Sequence, residues 1–171
     1  MLRRTKTYLA AEWDGEKNAI EQLHKWNNGK FWSLSFTDAH DITQARDGSL
    51  NCSIKASLNT RIDASKTFVL IVGSNTKNAR SGSCQYCASY NSYQNRCVRG
   101  KSVSYSSYIE HECAKAVRVN LKIVVLYNAA SVDRSKCPES IRYLGTHKAM
   151  QFIRGSTRFW DYNAAKDAIT N

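Results

Sequence analysis

Two stretches of the chain limit its fold more than any other: Thr67 to Gly73 and Leu121 to Tyr127. Both are almost wholly apolar and rich in β-branched residues. A strand with one face in water alternates polar and apolar residues. A strand that is apolar at every position must be covered on both faces, as in a parallel sheet flanked by helices. Between them, Tyr108 to Val117 carries Ile109, Cys113, Ala116 and Val117 at i, i+4, i+7 and i+8, the spacing of one helix face. This helix begins near Ser106 or Ser107, and the whole unit reads strand, helix, strand.

The remainder extends the alternation. A first strand covers Lys6 to Ala11 and is followed by the loop Glu12 to Gly15. A helix marked by Ile20, Leu23 and Trp26 ends at Asn27 to Gly29. Phe31 to Phe36 alternates and is aromatic, which predicts a second strand. After the polar loop Thr37 to Gly48, Ser49 is placed to cap a helix that runs to Ala64, with Leu50, Ile54, Leu58 and Ile62 inside. The apolar stretches supply the third and fourth strands. Pro138 should open a short helix through Ile141 and Leu144, ended by Gly145. Ala149 to Ile153 predicts a fifth strand, and Tyr162, Ala165 and Ile169 a last helix.

This order predicts an α/β chain with a flavodoxin-like three-layer fold: a five-stranded parallel sheet in the order 2-1-3-4-5. We expect one domain over 1–171, interrupted by a Cys- and Tyr-rich basic insertion at about 77–104. Ligands of such folds bind outside the carboxyl ends of the strands. That assigns a site to the loops Glu12 to Gly15, Thr37 to Gly48, and Gly73 onward.

The 171 residues carry a formal net charge of +11, which raises the question of an anionic partner. Lys77, Arg80, Arg96, Arg99 and Lys101 lie in a segment without acidic residues, interleaved with Tyr86, Tyr90 and Tyr93. Such interleaving suits single-stranded nucleic acid. A solvated, tyrosine-rich insertion is the plainer reading, and nucleic acid is not the expected partner. No apolar run nears the roughly 18 residues that span a bilayer, and no apolar signal segment follows the basic start. The expected location is cytoplasmic, without a membrane partner. The six cysteines should then be reduced thiols. Cys52, Cys113 and Cys137 read as small buried hydrophobes. Zinc on Cys84, Cys87 and Cys97 stands only as an alternative, because a fourth ligand at standard spacing is missing.

The usual phosphate cradles, GxGxxG and the Walker A loop, are absent, and so is a GxSxG elbow. A phosphoacceptor site would need an aspartate ending the third strand. Glu12 and Asp14 could supply its acidic pair, but the third strand ends in Gly73, Ser74 and Asn75. The helix after that strand remains. There Glu110 and Glu112 flank the apolar stripe on opposite sides, since residues two apart differ by about 200°. Periodicity does not choose between them.

Several segments together resemble the bacterial TIR-like domains, in the branch that includes the TIR proteins of Thoeris antiphage systems. These are Ser65-Lys66 before an apolar strand, Gly73 to Thr76, and Tyr108 to Ala116. The stretches Asp38 to Ile42, Ile54-Lys55, Leu58 to Ile62 and Cys137 to Glu139 are similar too. The family pattern places an aromatic residue four before a glutamate and an alanine four after it. In that register Tyr108 is the aromatic, Glu112 the glutamate and Ala116 the alanine. The insertion departs from the family, whose motifs sit closer together.

The resemblance implies cleavage of NAD+ at the nicotinamide–ribose bond, giving ADP-ribose or a cyclic ADP-ribose signal read by a downstream effector. NAD+ is then a substrate and no cofactor is expected. Glu112 is the implied catalytic residue. Glu12, Trp13, Asp14, Asp38, His40, Asp41, Ser74 and Tyr108 are the implied substrate-binding residues. Trp13 would stack on a ring of NAD+ or simply pack at a strand end. Self-association, or association with other TIR-like domains, is also implied.

Overall fold

A computed structural model of the chain describes residues 6–29 and 50–171. The expected strand Phe31 to Phe36, the loop Thr37 to Gly48 and the Ser49 cap lie outside the described residues. In chain order the elements are β1 (Lys6–Ala10), α1 (Trp13–Asn28), α2 (Asn51–Asp63), β2 (Ser65–Val72), β3 (Tyr90–Asn91), β4 (Arg96–Cys97) and α3 (Tyr108–Arg118). They continue with β5 (Lys122–Tyr127), β6 (Thr146–Ala149), β7 (Gln151–Arg154), β8 (Thr157–Trp160) and α4 (Tyr162–Thr170).

The described sheet is parallel and four-stranded, in the order β1-β2-β5-β6. It is an α/β arrangement consistent with a flavodoxin-like fold. Count and order differ from the expected five strands in the order 2-1-3-4-5, because the expected second strand falls on undescribed residues.

The continuous apolar runs are explained by burial on both sides. Successive side chains of a strand point to opposite faces. On one face Tyr8, Phe68, Leu70 and Val125 pack with Leu58 and Ile62 of α2 and Ile109, Cys113 and Ala116 of α3. On the other, Leu9, Val69, Ile71, Val124 and Leu126 pack with Ile20, Leu23 and Trp26 of α1 and Ala165 and Ile169 of α4. Trp26 is held edge-on by Trp160 and Tyr162. The result is three layers, with one apolar core on each side of the sheet.

Three expectations near the C-terminus are corrected. The fifth strand is Thr146–Ala149, not Ala149 to Ile153. It is an edge strand whose side chains are at most half-buried, so its apolar signal is thin. Gln151 onward leaves the sheet in an antiparallel hairpin with β8, turned at Gly155 (φ 63°) and Ser156. After Pro138 the chain makes a single 3₁₀ turn, Glu139–Ile141, instead of a helix reaching Leu144. Gly145 adopts φ 72°, and a Cβ there would collide with the carbonyl of Ile123.

The insertion is folded against the domain. It contains two 3₁₀ turns and the two-residue strands β3 and β4. The Cys84 amide donates to the Ser104 carbonyl (2.9 Å), and the Tyr108 amide to the Ser81 carbonyl (2.7 Å). Lys55, buried in α2, donates its Nζ to the Ser106 carbonyl (2.7 Å) and to Ser104 Oγ (3.1 Å). These bonds join both ends of the segment to α2 and α3.

Candidate active site

The N-terminus of α3 decides which glutamate faces inward. Ser107 Oγ accepts from the Glu110 amide (3.2 Å), and the Ser107 amide donates to Glu110 Oε2 (2.7 Å). This reciprocal pair is a capping box, which satisfies two amides that a helix start leaves open. Glu110 is exposed and serves the helix end. Two residues on, Glu112 points the other way, into the buried stripe Ile109, Glu112, Cys113 and Ala116. Val117, expected in that stripe, lies on the exposed side.

Glu112 is only 3% exposed. The Tyr8 hydroxyl, reaching across from β1, donates to Glu112 Oε1. Tyr8 is itself fixed by stacking on Phe68, with ring centroids 5.7 Å apart at 13°. Burial pushes the Glu112 carboxyl up from 4.5 to about 7, against the Tyr8 hydrogen bond and the positive charge of Arg61. A carboxyl in this condition shares its two protonation states near neutrality. Ionised, it is a concentrated negative charge in a poorly screened site.

The helix turn before Glu112 is also fixed. Tyr108 donates its hydroxyl to Asn51 Oδ1 (2.9 Å), while Asn51 Nδ2 donates to the Ser83 carbonyl (3.0 Å). His111, beside Glu112, bonds through Nε2 to Asn59 Oδ1 at 2.9 Å. Burial, and then the charges of Lys55 and Arg118, lower its pKa below the usual histidine value.

The remaining sequence-predicted residues fall in other places. Glu12 stands at the N-cap position of α1 without capping it through its side chain, Trp13 opens α1 at 46% exposure, and Asp14 is exposed in its first turn. Ser74 lies exposed in the turn after β2. Asp38, His40 and Asp41 lie outside the described residues. Tyr108 and Glu112 share one face of α3, one turn apart, or about 6 Å along the axis.

Sequence reasoning missed Glu16. It is 3% exposed and sits at the carboxyl end of the sheet, with its carboxyl over Gly73, where no Cβ would fit. Asn128 Nδ2 donates to Glu16 Oε2 (2.6 Å) and to Asn18 Oδ1 (2.9 Å), and Gln151 Nε2 donates to Asn128 Oδ1 (2.9 Å). Burial raises the Glu16 pKa, the Asn128 bond opposes this, and Glu12 adds to it. The available signal was spacing, since Glu16, Ala19, Ile20 and Leu23 stand at i, i+3, i+4 and i+7. This network locks the junction of β1, β2 and β5.

All six cysteines are free thiols. Cys84 is buried and Cys87 and Cys97 are half-buried, but among the described residues no cluster of three His, Cys, Asp or Glu is arranged to hold a metal ion. No described helix is long and apolar enough to cross a membrane.

Residues 8–81 match the family model of the Thoeris protein ThsB, TIR-like domain. Over this stretch the chain is similar to the TIR-like domain of the Thoeris protein ThsB. The match takes in β1, α1, α2, β2 and the first residues of the insertion, and it agrees with the resemblance read from the sequence. Tyr108, Glu112 and Ala116 lie beyond it and rest on the helix register. A comparison with curated proteins gives no match.

Proposed function

We propose that this TIR-like protein cleaves NAD+ between nicotinamide and ribose, with Glu112 as the essential carboxylate, in antiphage defence. The observation that carries the reading is the environment of Glu112: a carboxylate at the family register, inside the protein, oriented by one phenol. In the reaction the C1′–N bond breaks and its electron pair passes to the pyridinium nitrogen. Nicotinamide therefore leaves neutral and needs no proton from an acid. The positive charge appears on C1′ and the ring oxygen of the ribose. An ionised, poorly screened carboxylate stabilises that charge more than the ground state, which is what lowers the barrier.

Water attacking C1′ and losing a proton gives ADP-ribose. A nucleophilic atom of the same ADP-ribose moiety gives a cyclic product, and exclusion of water favours the second route. In either route Tyr8 holds the carboxylate in place, and its hydrogen bond favours the ionised form. Trp13, Asp14 and Ser74, at the carboxyl ends of β1 and β2, are the proposed contacts of the nicotinamide and its ribose.

A second reading is a non-catalytic module that associates with other TIR-like domains. The closure of Glu112 favours it, because substrate cannot touch a carboxyl that is 3% exposed until the packing around it opens. The two readings separate when NAD+ is incubated with the protein and nicotinamide is followed by chromatography. The enzymatic reading expects release by the wild type and loss of it in Glu112→Gln. Equal rates from both proteins would remove Glu112 from the reaction.

A further inference from the structure

The insertion, the start of α2 and the start of α3 border an open cleft of about 330 Å³, lined by Asn51, Arg80, Ser81, Gly82, Tyr86 and Tyr108. Each group in it is suited to one part of a nucleotide. Arg80 is exposed and, among the described residues, forms no ion pair and one hydrogen bond, from Nη1 to the carbonyl of neighbouring Ala79 (3.3 Å). Its segment, residues 77–101, contains no acidic side chain to neutralise it. Tyr86 is 68% exposed, an unusual cost for a large aromatic ring that faces a cleft.

Tyr108, by contrast, is held rigid at the cleft wall. Its amide is bonded to Ser81 and its hydroxyl to Asn51. Gly82 takes φ 96° directly against its ring, where a Cβ would come within 2.6 Å. The backbone therefore approaches as close to the aromatic face as a glycine permits. An exposed guanidinium beside one fixed and one open aromatic ring recognises an anion joined to a planar base.

We propose that this cleft is a binding site for the adenosine-monophosphate half of a nucleotide, with Arg80 on the phosphate and Tyr86 stacked on the base. The inference rests on the NAD+ reading of Glu112 and adds to it the insertion's role. The volume lies at the lower end of the range for ligand pockets, so it suits a mononucleotide and not a whole dinucleotide. Once the packing around Glu112 opens, the other half of NAD+ would extend along α3 from Tyr108 toward Glu112, one helical turn away. Asn51 offers an amide to the ribose or base at the cleft edge. The insertion, absent from the family's compact spacing, thus supplies affinity for substrate while Glu112 supplies chemistry.

Isothermal titration of the full chain with adenosine 5′-monophosphate tests this, with adenosine and inorganic phosphate run separately. The expected result is that the monophosphate binds tighter than either part. Arg80→Gln and Tyr86→Ala should each weaken it about tenfold or more, and Arg80→Lys should restore part of the loss. Both side chains are exposed, and circular dichroism verifies that the variants are folded. No binding of the monophosphate by the wild type, or equal affinity in wild type, Arg80→Gln and Tyr86→Ala, overturns the proposal. Binding that depends on Arg80 without nicotinamide release leaves this site standing and removes the catalytic reading. Nicotinamide release whose KM is unchanged in Arg80→Gln does the opposite.

Discussion

Replacing Glu112 by glutamine should change how the protein's stability depends on pH, in a direction opposite to that of most carboxylates. Burial raises the Glu112 carboxyl from 4.5 to about 7 in the folded protein. In the unfolded chain it returns to the ordinary range. Between these two values the folded state holds more proton than the unfolded one, so stability falls as pH rises. Below pH 4.5 both states are protonated and nothing is lost; above about 7 the loss is complete. At about 1.4 kcal/mol per pKa unit, ionising Glu112 costs the fold about 3 kcal/mol. Glutamine keeps the shape and can still accept from Tyr8, but it does not ionise. Urea unfolding followed by tryptophan fluorescence from pH 4 to 8.5 measures both proteins. The two should have similar stability at pH 4, and the variant should be about 3 kcal/mol more stable at pH 8. The pKa of Glu16 is also raised by burial, but that contribution is common to both proteins and cancels in the difference. A difference that stays constant across the range refutes the burial argument for Glu112.

Other outcomes follow from the same geometry. If the ionised carboxylate is the working form, kcat/KM for nicotinamide release rises with pH and levels off above about 7; a profile flat from acid to neutral contradicts it. Ser107→Ala removes the cap of α3 and should cost about 1 kcal/mol in urea unfolding, with little effect on the rate per folded molecule; an unchanged midpoint denies the capping box its role. Gly82→Ala forces a side chain into φ 96° and onto the Tyr108 ring. It should cost about 1–3 kcal/mol in thermal unfolding and weaken monophosphate binding; a neutral effect on both would show the loop is not packed as described.

The parts of this fold that were legible in the sequence are those where burial leaves a one-dimensional trace. β2 and β5 are covered on both faces, so every position is apolar and the strands stand out. α3 shows its stripe because Ile109, Cys113 and Ala116 face one core. β6 was misplaced because an edge strand such as Thr146–Ala149 has no fully buried position and therefore no strong pattern. β7 and β8 face outward around a two-residue turn, and the exposed Phe152–Phe159 pair mimics core residues in composition. Pro138 gave a helix signal that one 3₁₀ turn satisfied.

The site was less legible for a different reason. A glutamate is read as exposed by default, and only three-dimensional contact shows otherwise. Glu110 and Glu112 are equivalent on a helical wheel. The capping box turns one outward, and the position of Tyr8, 104 residues earlier in the chain, accommodates the other. Glu16 is buried by Gly73 and Asn128, which are distant in sequence. The cleft beside Tyr108 depends on how the insertion folds back onto α2 through Asn51 and Lys55. No spacing within the insertion encodes that contact.

The most direct test of Glu112 is nicotinamide release from NAD+ at pH 8, where its carboxyl is ionised, compared between wild type and Glu112→Gln over a wide range of protein concentration. Release by the wild type is expected, rising more steeply than concentration if association opens the site, with a loss of roughly a hundredfold or more in the variant. Equal rates in the two proteins at every concentration would contradict it.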